Sequence, residues 1–340
     1  MQIKDLEEKY LRIVYVYRCP KMGYSIQRSF NAIENEIKKR KNVEVDSIYF
    51  DNTKFSLNAC VKNVIAVIKY ARKHPHTIIH LTGAEYYILP FLRRYKTVVT
   101  VHDLGFYLTQ KNPIKKFFLY LMYVKTIEAA DMVVYVSKKS EEEGQKYLNI
   151  SNYCTIWNSI SDINIVPPLN HVFNVDCPRI LFVGTKANKN LRGFIHALKG
   201  RNCHLRIIGP IDDEIKDLLL KYNIHYSQVQ DLSDSEIIIE YQICDFVAFP
   251  SLYEGFGLPI LEGQCAGKAV LTSNRSPMKE IAGESCVLVD PCDVDSMREG
   301  INTIISNHKL YEESGKENVK KYSLERKAEE YYDVYCHLTI

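Results

Sequence analysis

Short apolar runs alternate with amphipathic stretches along almost the whole chain. Residues 11–17 form a run rich in β-branched and aromatic side chains, as expected of a strand buried on both faces. Residues 18–25, which hold Pro20 and Gly23, lead into a helical pattern over 26–39. The next strand is expected at 43–50, and a helix at 61–72 carries Val64, Val67, Ile68 and Ala71 on one face. Two further strands at 77–81 and 97–101 are separated by a helical stretch beginning near Ala84. A helix over 114–130, a strand at 132–136, a helix at 138–147 and a short strand at 154–156 complete this half.

Residues 159–176 break the alternation with Pro167, Pro168 and several Asn and Asp, so they read as a linker. Alternation then restarts: strands at 179–183 and 204–208 are interleaved with helices at 191–198 and 214–222. A helix follows at 233–242, where Ser233 and Glu236 have capping-box spacing. Next come a strand at 245–249, a helix at 258–266 with Pro259 near its start, and strands at 269–272 and 286–289 flanking a helix near 277–282. The remainder, 293–306 and on to 337, is helical. Regular alternation of this kind predicts parallel sheets covered on both faces. The expectation is α/β: two doubly wound, Rossmann-like domains, residues 1–165 and 170–323, with an interdomain cleft.

At 340 residues the chain exceeds the usual size of one core. Its 46% hydrophobic and 25% charged residues are ordinary for a soluble globular protein, and a net charge of +3 gives no concentrated basic face for nucleic acid. The ten cysteines are scattered, with no Cys-x-x-Cys pair and no Cys/His cluster at zinc spacing. With a charged start, MQIKDLEEKY, they read as reduced thiols of a cytoplasmic protein. The longest strongly apolar run, 117–124, falls far short of the ~20 residues of a membrane span.

Ligands of open α/β sheets sit outside the carboxyl ends of the strands, so the loops after strands carry the chemistry. The most informative is SLYEGFGLPILEGQCA, residues 251–266. Gly255 and Gly257 allow a tight loop around Phe256. The amides at the start of the following helix, at Leu258, can hold an anion. Glu262 lies a turn inside that helix, its side chain leaning back toward the start, where a carboxylate can accept both hydroxyls of a ribose. Glu254, in the loop, suits the hydroxyls of a sugar. A phosphate on the amides, a ribose on Glu262 and a polyol on Glu254 together describe a nucleotide sugar. A second loop, GTKANKN at 184–190, follows a strand and precedes a helix that Asn190 is expected to cap. Lys189 stands beside that helix start as a point charge for a diphosphate.

FPSLYEGFGLPILEGQCAGKAVLTSNRSPMKEIAG followed by VLVDPCD resembles the C-terminal domain of retaining GT-B glycosyltransferases of family 4, the glycosyl transferases group 1. FVGTKANKNLRGFIHAL resembles that family's phosphate loop, and TVVTVHDLG its N-domain strand ending in His-Asp. The resemblance implies a two-domain GT-B enzyme that needs no metal or other cofactor. Such an enzyme moves a hexose-type sugar from a nucleotide diphosphate donor to a glycan or lipid-linked acceptor, in cell-surface polysaccharide assembly, with retention. It implies that Lys189 stabilises the leaving group, that Glu254 holds the donor sugar, and that His102 meets the donor from the N-domain. Gly184, Lys186, Asn190, Gly255, Phe256, Gly257, Leu258 and Glu262 would complete the donor site. The family carries an arginine where this chain has Asn188, with Lys186 the nearest substitute. It also implies that the terminal helix, 324–340, packs back on the N-domain, with Tyr331, Tyr332 and Tyr335 as packing residues.

Weaker signals lie in the first half. His102 is a candidate proton carrier because imidazole titrates near neutrality, and Asp103 either serves the site or caps the local turn. Gly23, Arg28 and His80 are candidate acceptor-side residues, His80 balanced against a plain β-α turn. Residues 111–125, KNPIKKFFLYLMYVK, fit two readings: a helix whose aromatic face is core, which is favoured, and a segment lying peripherally on an anionic membrane. Two other functions stay open. A GT-B-type nucleotide-sugar epimerase would lack the two-glutamate signature, and a catalytically weak glycan- or nucleotide-binding relative would account for Asn188 and for Ala84 where an acid is usual.

Overall fold

The computed structural model describes residues 10–19, 24–51, 56–83, 85–159 and 171–339. The chain divides into two compact units: Met1–Ser161 together with Ser323–Ile340, and Asp162–Tyr322.

Unit 1 is built on six parallel strands, β1 (Leu11–Tyr17), β2 (Val43–Tyr49), β3 (Ile78–Leu81), β4 (Lys96–Val101), β5 (Met132–Tyr135) and β6 (Tyr153–Thr155), in the order β2-β1-β3-β4-β5-β6. Strands β3 and β5 are buried at every position, which is why they read as continuous apolar runs. Helices α1 (Tyr24–Ile37), α2 (Leu57–Lys73), the single turn α3 (Gly105–Leu108), α4 (Pro113–Leu119) and α5 (Lys138–Tyr147) connect them. Ser56 caps α2, and Ser137 with Ser140 forms a capping box on α5. One face of the sheet packs on α2 and the segments after β3 and α4. The other packs on α1 and the C-terminal helix α12 (Leu324–Leu338).

Unit 2 has six parallel strands: β7 (Arg179–Val183), β8 (His204–Ile208), β9 (His225–Val229), β10 (Phe246–Phe249), β11 (Ala269–Ser273) and β12 (Val287–Val289). Their helices are α6 (Leu191–Leu198), α7 (Asp213–Lys221), α8 (Asp234–Ile243), α9 (Leu258–Cys265), α10 (Met278–Ala282) and α11 (Val294–Val319). The order β12-β11-β10-β7-β8-β9 reverses direction between β7 and β10. The loops leaving those two strands therefore diverge and open a crevice at their carboxyl ends. Two parallel six-stranded sheets, each with flanking helices, give the expected two-domain α/β architecture.

Three local expectations differ from what is observed. Strand β9, HYSQV, was not anticipated: it is an edge strand paired only with β8, and its exposed, polar side chains leave no apolar run to read. The stretch near Ala84 is a 3₁₀ segment, Tyr86–Phe91, rather than an α-helix; Pro90 near its end lacks a backbone N–H donor. The favoured core reading of 111–125 does not hold. Ile114, Phe117, Phe118, Leu121 and Met122 are all exposed, and only the side bearing Leu119, Tyr120, Tyr123 and Val124 meets the core. The segment is apolar around its circumference, but the sheet covers one side of it. After α4 it continues as a π turn, Tyr120–Val124, and a 3₁₀ turn, Lys125–Ala129.

Candidate functional site

The crevice of unit 2 gathers the two loops singled out in the sequence. Gly184 ends β7 with φ +85°, and a Cβ there would press on the Lys189 side chain at 3.1 Å. Glycine thus lets the loop turn under Lys189. Lys186 is exposed, and its carbonyl accepts from the Lys189 N–H at 2.8 Å, closing the 3₁₀ turn Ala187–Lys189. From there Lys189 reaches across to the β10 loop, where Nζ donates to Glu254 Oε1 at 2.8 Å and lies 4.6 Å from the Phe249 ring centroid. Both partners of this ion pair are largely buried.

Asn188, which stands where the resembling family has arginine, stitches the same two loops. Its Nδ2 donates to the Tyr253 carbonyl at 2.9 Å and to Glu254 Oε1 at 3.2 Å, and its carbonyl accepts from Leu252 N–H at 2.7 Å. The amide therefore serves to hold Glu254.

Asn190 does not cap α6 with its side chain, as the sequence suggested. Its backbone is left-handed, φ 65°, and its side-chain amide donates to the carbonyls of Pro250 at 3.3 Å and Pro291 at 2.6 Å. Those carbonyls lie in the loops after β10 and β12, so the amide ties three loops together.

The second loop leads into α9. Gly257, at φ +145°, occupies the N-cap position with no side-chain cap, and α9 begins at Leu258 with Pro259 in its first turn. Phe256 is buried and meets Tyr322 edge-on, ring centroids 6.2 Å apart, which anchors the loop beside Gly255. In the first turn of α9, Pro259 has no N–H and Ile260 N–H donates to the Gly257 carbonyl at 3.0 Å, so the anion-favouring positive end of the helix is presented at Leu258. Glu262 sits a turn further in and is mostly buried, its Oε2 accepting from the Tyr241 hydroxyl at 2.6 Å. Tyr241, on α8, escaped the sequence reading: it belongs to another helix, 21 residues upstream, and no local pattern marks it.

Unit 1 has its own polar group at the carboxyl ends of its strands. His102, directly after β4, sets its Nε2 2.8 Å from the Thr82 carbonyl, so Nε2–H donates and Nδ1 is the acceptor. Burial pushes its pKa down to about 4 against the pull of the Thr82 carbonyl, so it does not titrate near neutrality as the sequence suggested. Gly83, at φ +147°, makes room for it: a Cβ would meet the imidazole at 2.9 Å. Asp103 caps the turn into α3, Oδ1 accepting from Gly105 N–H at 2.8 Å.

His80, expected at an acceptor pocket, is instead a core residue. It is wholly buried, with Nδ1 2.6 Å from the Tyr335 hydroxyl and Nε2 2.9 Å from the Thr100 hydroxyl. Burial lowers its pKa to about 3, so the ring is neutral. Gly23 lies outside the described residues. Arg28 falls within α1, but its side chain is likewise outside them.

The sequence reading passed over Lys327, the buried amine of α12. Nζ donates to Asn158 Oδ1 at 3.0 Å and Ser29 Oγ at 3.2 Å and lies over the Phe30 and Tyr331 rings. Burial brings its pKa down to about 7, opposed by Glu330. In the loop after β3, Glu85 is pushed up by burial while Arg18 pulls it down.

Residues 170–321, nearly all of unit 2, match the family described as glycosyl transferases group 1. Among characterised relatives, the chain is 26% identical over 274 residues to the serotype-specific mannosyltransferase WbdA of Escherichia coli, a match that covers 72% of this chain and 33% of the relative. The chain thus spans about a third of the length of that relative. Among solved structures, sucrose-phosphate synthase from Thermosynechococcus elongatus superposes with a TM-score of 0.79 at 18% identity, covering 97% of this chain and 99% of that one. HepE of Anabaena, in complex with UDP and glucose, superposes with a TM-score of 0.74 at 15% identity, covering 96% and 100%. At such identities these two likenesses speak for the fold.

Proposed function

We propose that this chain is a retaining, metal-independent glycosyltransferase that moves a hexose-type sugar from a nucleotide diphosphate donor to a glycan or lipid-linked acceptor in polysaccharide assembly. The observation that carries the reading is the Lys189–Glu254 bridge, 2.8 Å long, set in the β7/β10 crevice beside the open start of α9. Glycosyl transfer builds negative charge on the departing diphosphate. A fixed ammonium and preorganised helix amides stabilise that charge more than they stabilise the ground state, which is what lowers the barrier. Lys189 then has two partners, the Glu254 carboxylate at rest and the diphosphate in the complex, with Glu254 turning to the donor sugar hydroxyls. Gly184, Lys186, Asn190 and the loop Gly255–Leu258 shape the phosphate side, and Glu262, oriented by Tyr241, takes the ribose. The acceptor attacks on the face the leaving group departs from, so no carboxylate nucleophile is required. The relative's name, a mannosyltransferase, and the UDP and glucose bound by HepE support a nucleotide-sugar donor.

The test is turnover with a panel of nucleotide sugars, read as nucleoside diphosphate release, with the product anomer assigned by NMR. Lys189→Ala and Glu254→Ala should each lower kcat by about 100-fold or more. A chelator should leave the rate unchanged, and the product should keep the donor's anomeric configuration. Wild-type turnover in both variants would overturn the site, and an inverted product would overturn retention.

The exposed face of 111–125 supports the peripheral-membrane part of the reading. Phe117 and Phe118 are each 59% exposed and Ile114 is 68% exposed, with the exposed Lys111, Lys115 and Lys125 around them. Aromatic and aliphatic side chains ringed by lysines match the interface of an anionic bilayer. Replacing both Phe117 and Phe118 with Ser should abolish co-sedimentation with vesicles rich in anionic lipid while leaving turnover on a soluble acceptor intact. Unchanged sedimentation would remove the membrane from the proposal.

A further inference from the structure

We propose that unit 2 carries a second anion site, suited to a small molecule bearing a phosphomonoester, at the amino-terminal edge of its sheet. A cavity of about 380 Å³ opens there beside Pro178, the residue before β7, and Asn202, which leads into β8. The diphosphate loops leave the opposite, carboxyl end of β7, roughly 16 Å away at ~3.3 Å per residue. The two sites therefore cannot share a phosphate.

Three cations line the cavity, Lys199, Arg201 and Arg298, against one carboxylate, Asp176. Arg201 is half-buried, yet it has no carboxylate partner among the described residues. Its Nη2 donates to the neutral Asn302 Oδ1 at 2.5 Å, and its Nε is buried without a partner. Burial and the nearby Arg298 charge both disfavour the charged guanidinium, so its pKa is lowered. A guanidinium that stays ionised there is stabilised when an anion joins it.

Arg298 spans the end of α6, with Nη2 on the His196 carbonyl at 3.2 Å and Nε on that of Ala197 at 3.4 Å. It thereby covers the negative end of the helix, which would otherwise repel an anion. Its Nη1 meets Asp295 at 3.2 Å, but that carboxylate is 81% exposed and well screened. Gly200, at φ +77°, has open space where a Cβ would stand, so the backbone leaves the cavity mouth unobstructed. The volume exceeds what a phosphate ion needs and lies in the range of small-ligand pockets, about 300–1,000 Å³. Apolar surface from Pro178 and Ile305 is available to the remainder of such a ligand.

The experiment is calorimetric titration of the full chain with inorganic phosphate and with a hexose 1-phosphate, each in wild type and in Lys189→Ala, Arg201→Met and Lys199→Glu variants. Phosphate should bind Lys189→Ala as it binds wild type at this site, and should weaken about tenfold or more in Arg201→Met. Lys199 is exposed, its Nζ 5.5 Å from the Tyr222 ring centroid, and Lys199→Glu reverses a charge at the cavity and should weaken phosphate in the same direction. Loss of binding in Lys189→Ala alone would assign the phosphate to the donor crevice and overturn the second site. Equal affinity in wild type, Arg201→Met and Lys199→Glu would do the same. A hexose 1-phosphate that binds no more tightly than inorganic phosphate would overturn the phosphomonoester assignment. Because the readout is binding, its failure is independent of whether the chain transfers sugar.

Discussion

The carboxylate of Glu262 accepts from the Tyr241 phenol, and that contact bears on how the proposed ribose site performs. A hydrogen bond to a charged group contributes about 1.5–3 kcal/mol, roughly a tenfold or larger change in an equilibrium constant. Tyr241→Phe should therefore raise the Kd for a nucleoside diphosphate about tenfold while changing kcat little, as fluorescence titration and steady-state kinetics would show. A comparable fall in kcat would mean that Glu262 acts in the chemical step. The placement of Glu254, Glu262 and Lys189 at the carboxyl ends of β7 and β10 was legible in the sequence because each lies in a loop or helix start that follows a strand. Tyr241 and Lys327 were not legible, since their roles depend on which helices the fold brings together. The buried His80 shows the same limit from the other side: a histidine at a strand end looks alike whether it faces a ligand or, as here, Tyr335 and Thr100.

At the scale of elements, α6 depends on how closely its first turn lies against Asn190. A Cβ on Gly193 would stand 2.4 Å from Asn190 Oδ1, inside any tolerable contact. Gly193→Ala should displace the amide that ties the loops at Pro250 and Pro291, destabilising unit 2 by about 1–3 kcal/mol. Thermal unfolding, with and without a nucleoside diphosphate, would measure this loss and its effect on the crevice. Eleven of the twelve strands among the described residues were readable from their β-rich composition, the eight inner ones most clearly because a parallel sheet buries both of their faces. The twelfth, β9, has a polar edge sequence, HYSQV, and its pairing with β8 comes from the backbone, which composition does not record. The length of the helical stretch after α3 was legible, but its exposed side was not. Apolarity around the whole circumference cannot say which arc the sheet will cover.

For the whole molecule, the titration of unit 1 sets how its stability depends on pH. His80 and His102 have folded pKa values of about 3 and 4, below that of free imidazole, so the unfolded chain binds protons first. Stability is fully present above about pH 6.5 on their account and falls as the pH drops toward 3. Lys327, at about 7 in the folded chain, acts in the same sense at higher pH: stability rises between about pH 7 and 10.5 as the unfolded ammonium finally loses its proton. Trp157, the one tryptophan, lies in unit 1, so its fluorescence in urea follows this unit. The wild-type midpoint should climb from pH 7 to 9, and Lys327→Met should flatten that rise while leaving the acid limb in place. A slope unchanged by the substitution would assign the alkaline effect elsewhere.

Helix α12 carries one last consequence. Its Tyr331 and Tyr335 are wholly buried against unit 1, yet it follows all of unit 2 in the sequence. During synthesis, the first 161 residues emerge without the rings that seal one face of their sheet. The ribosome must translate the whole of unit 2 before it delivers them. Unit 2, contiguous in sequence, can close its core first, so the order of folding on the ribosome runs opposite to the order of the genes' codons for these two sheets.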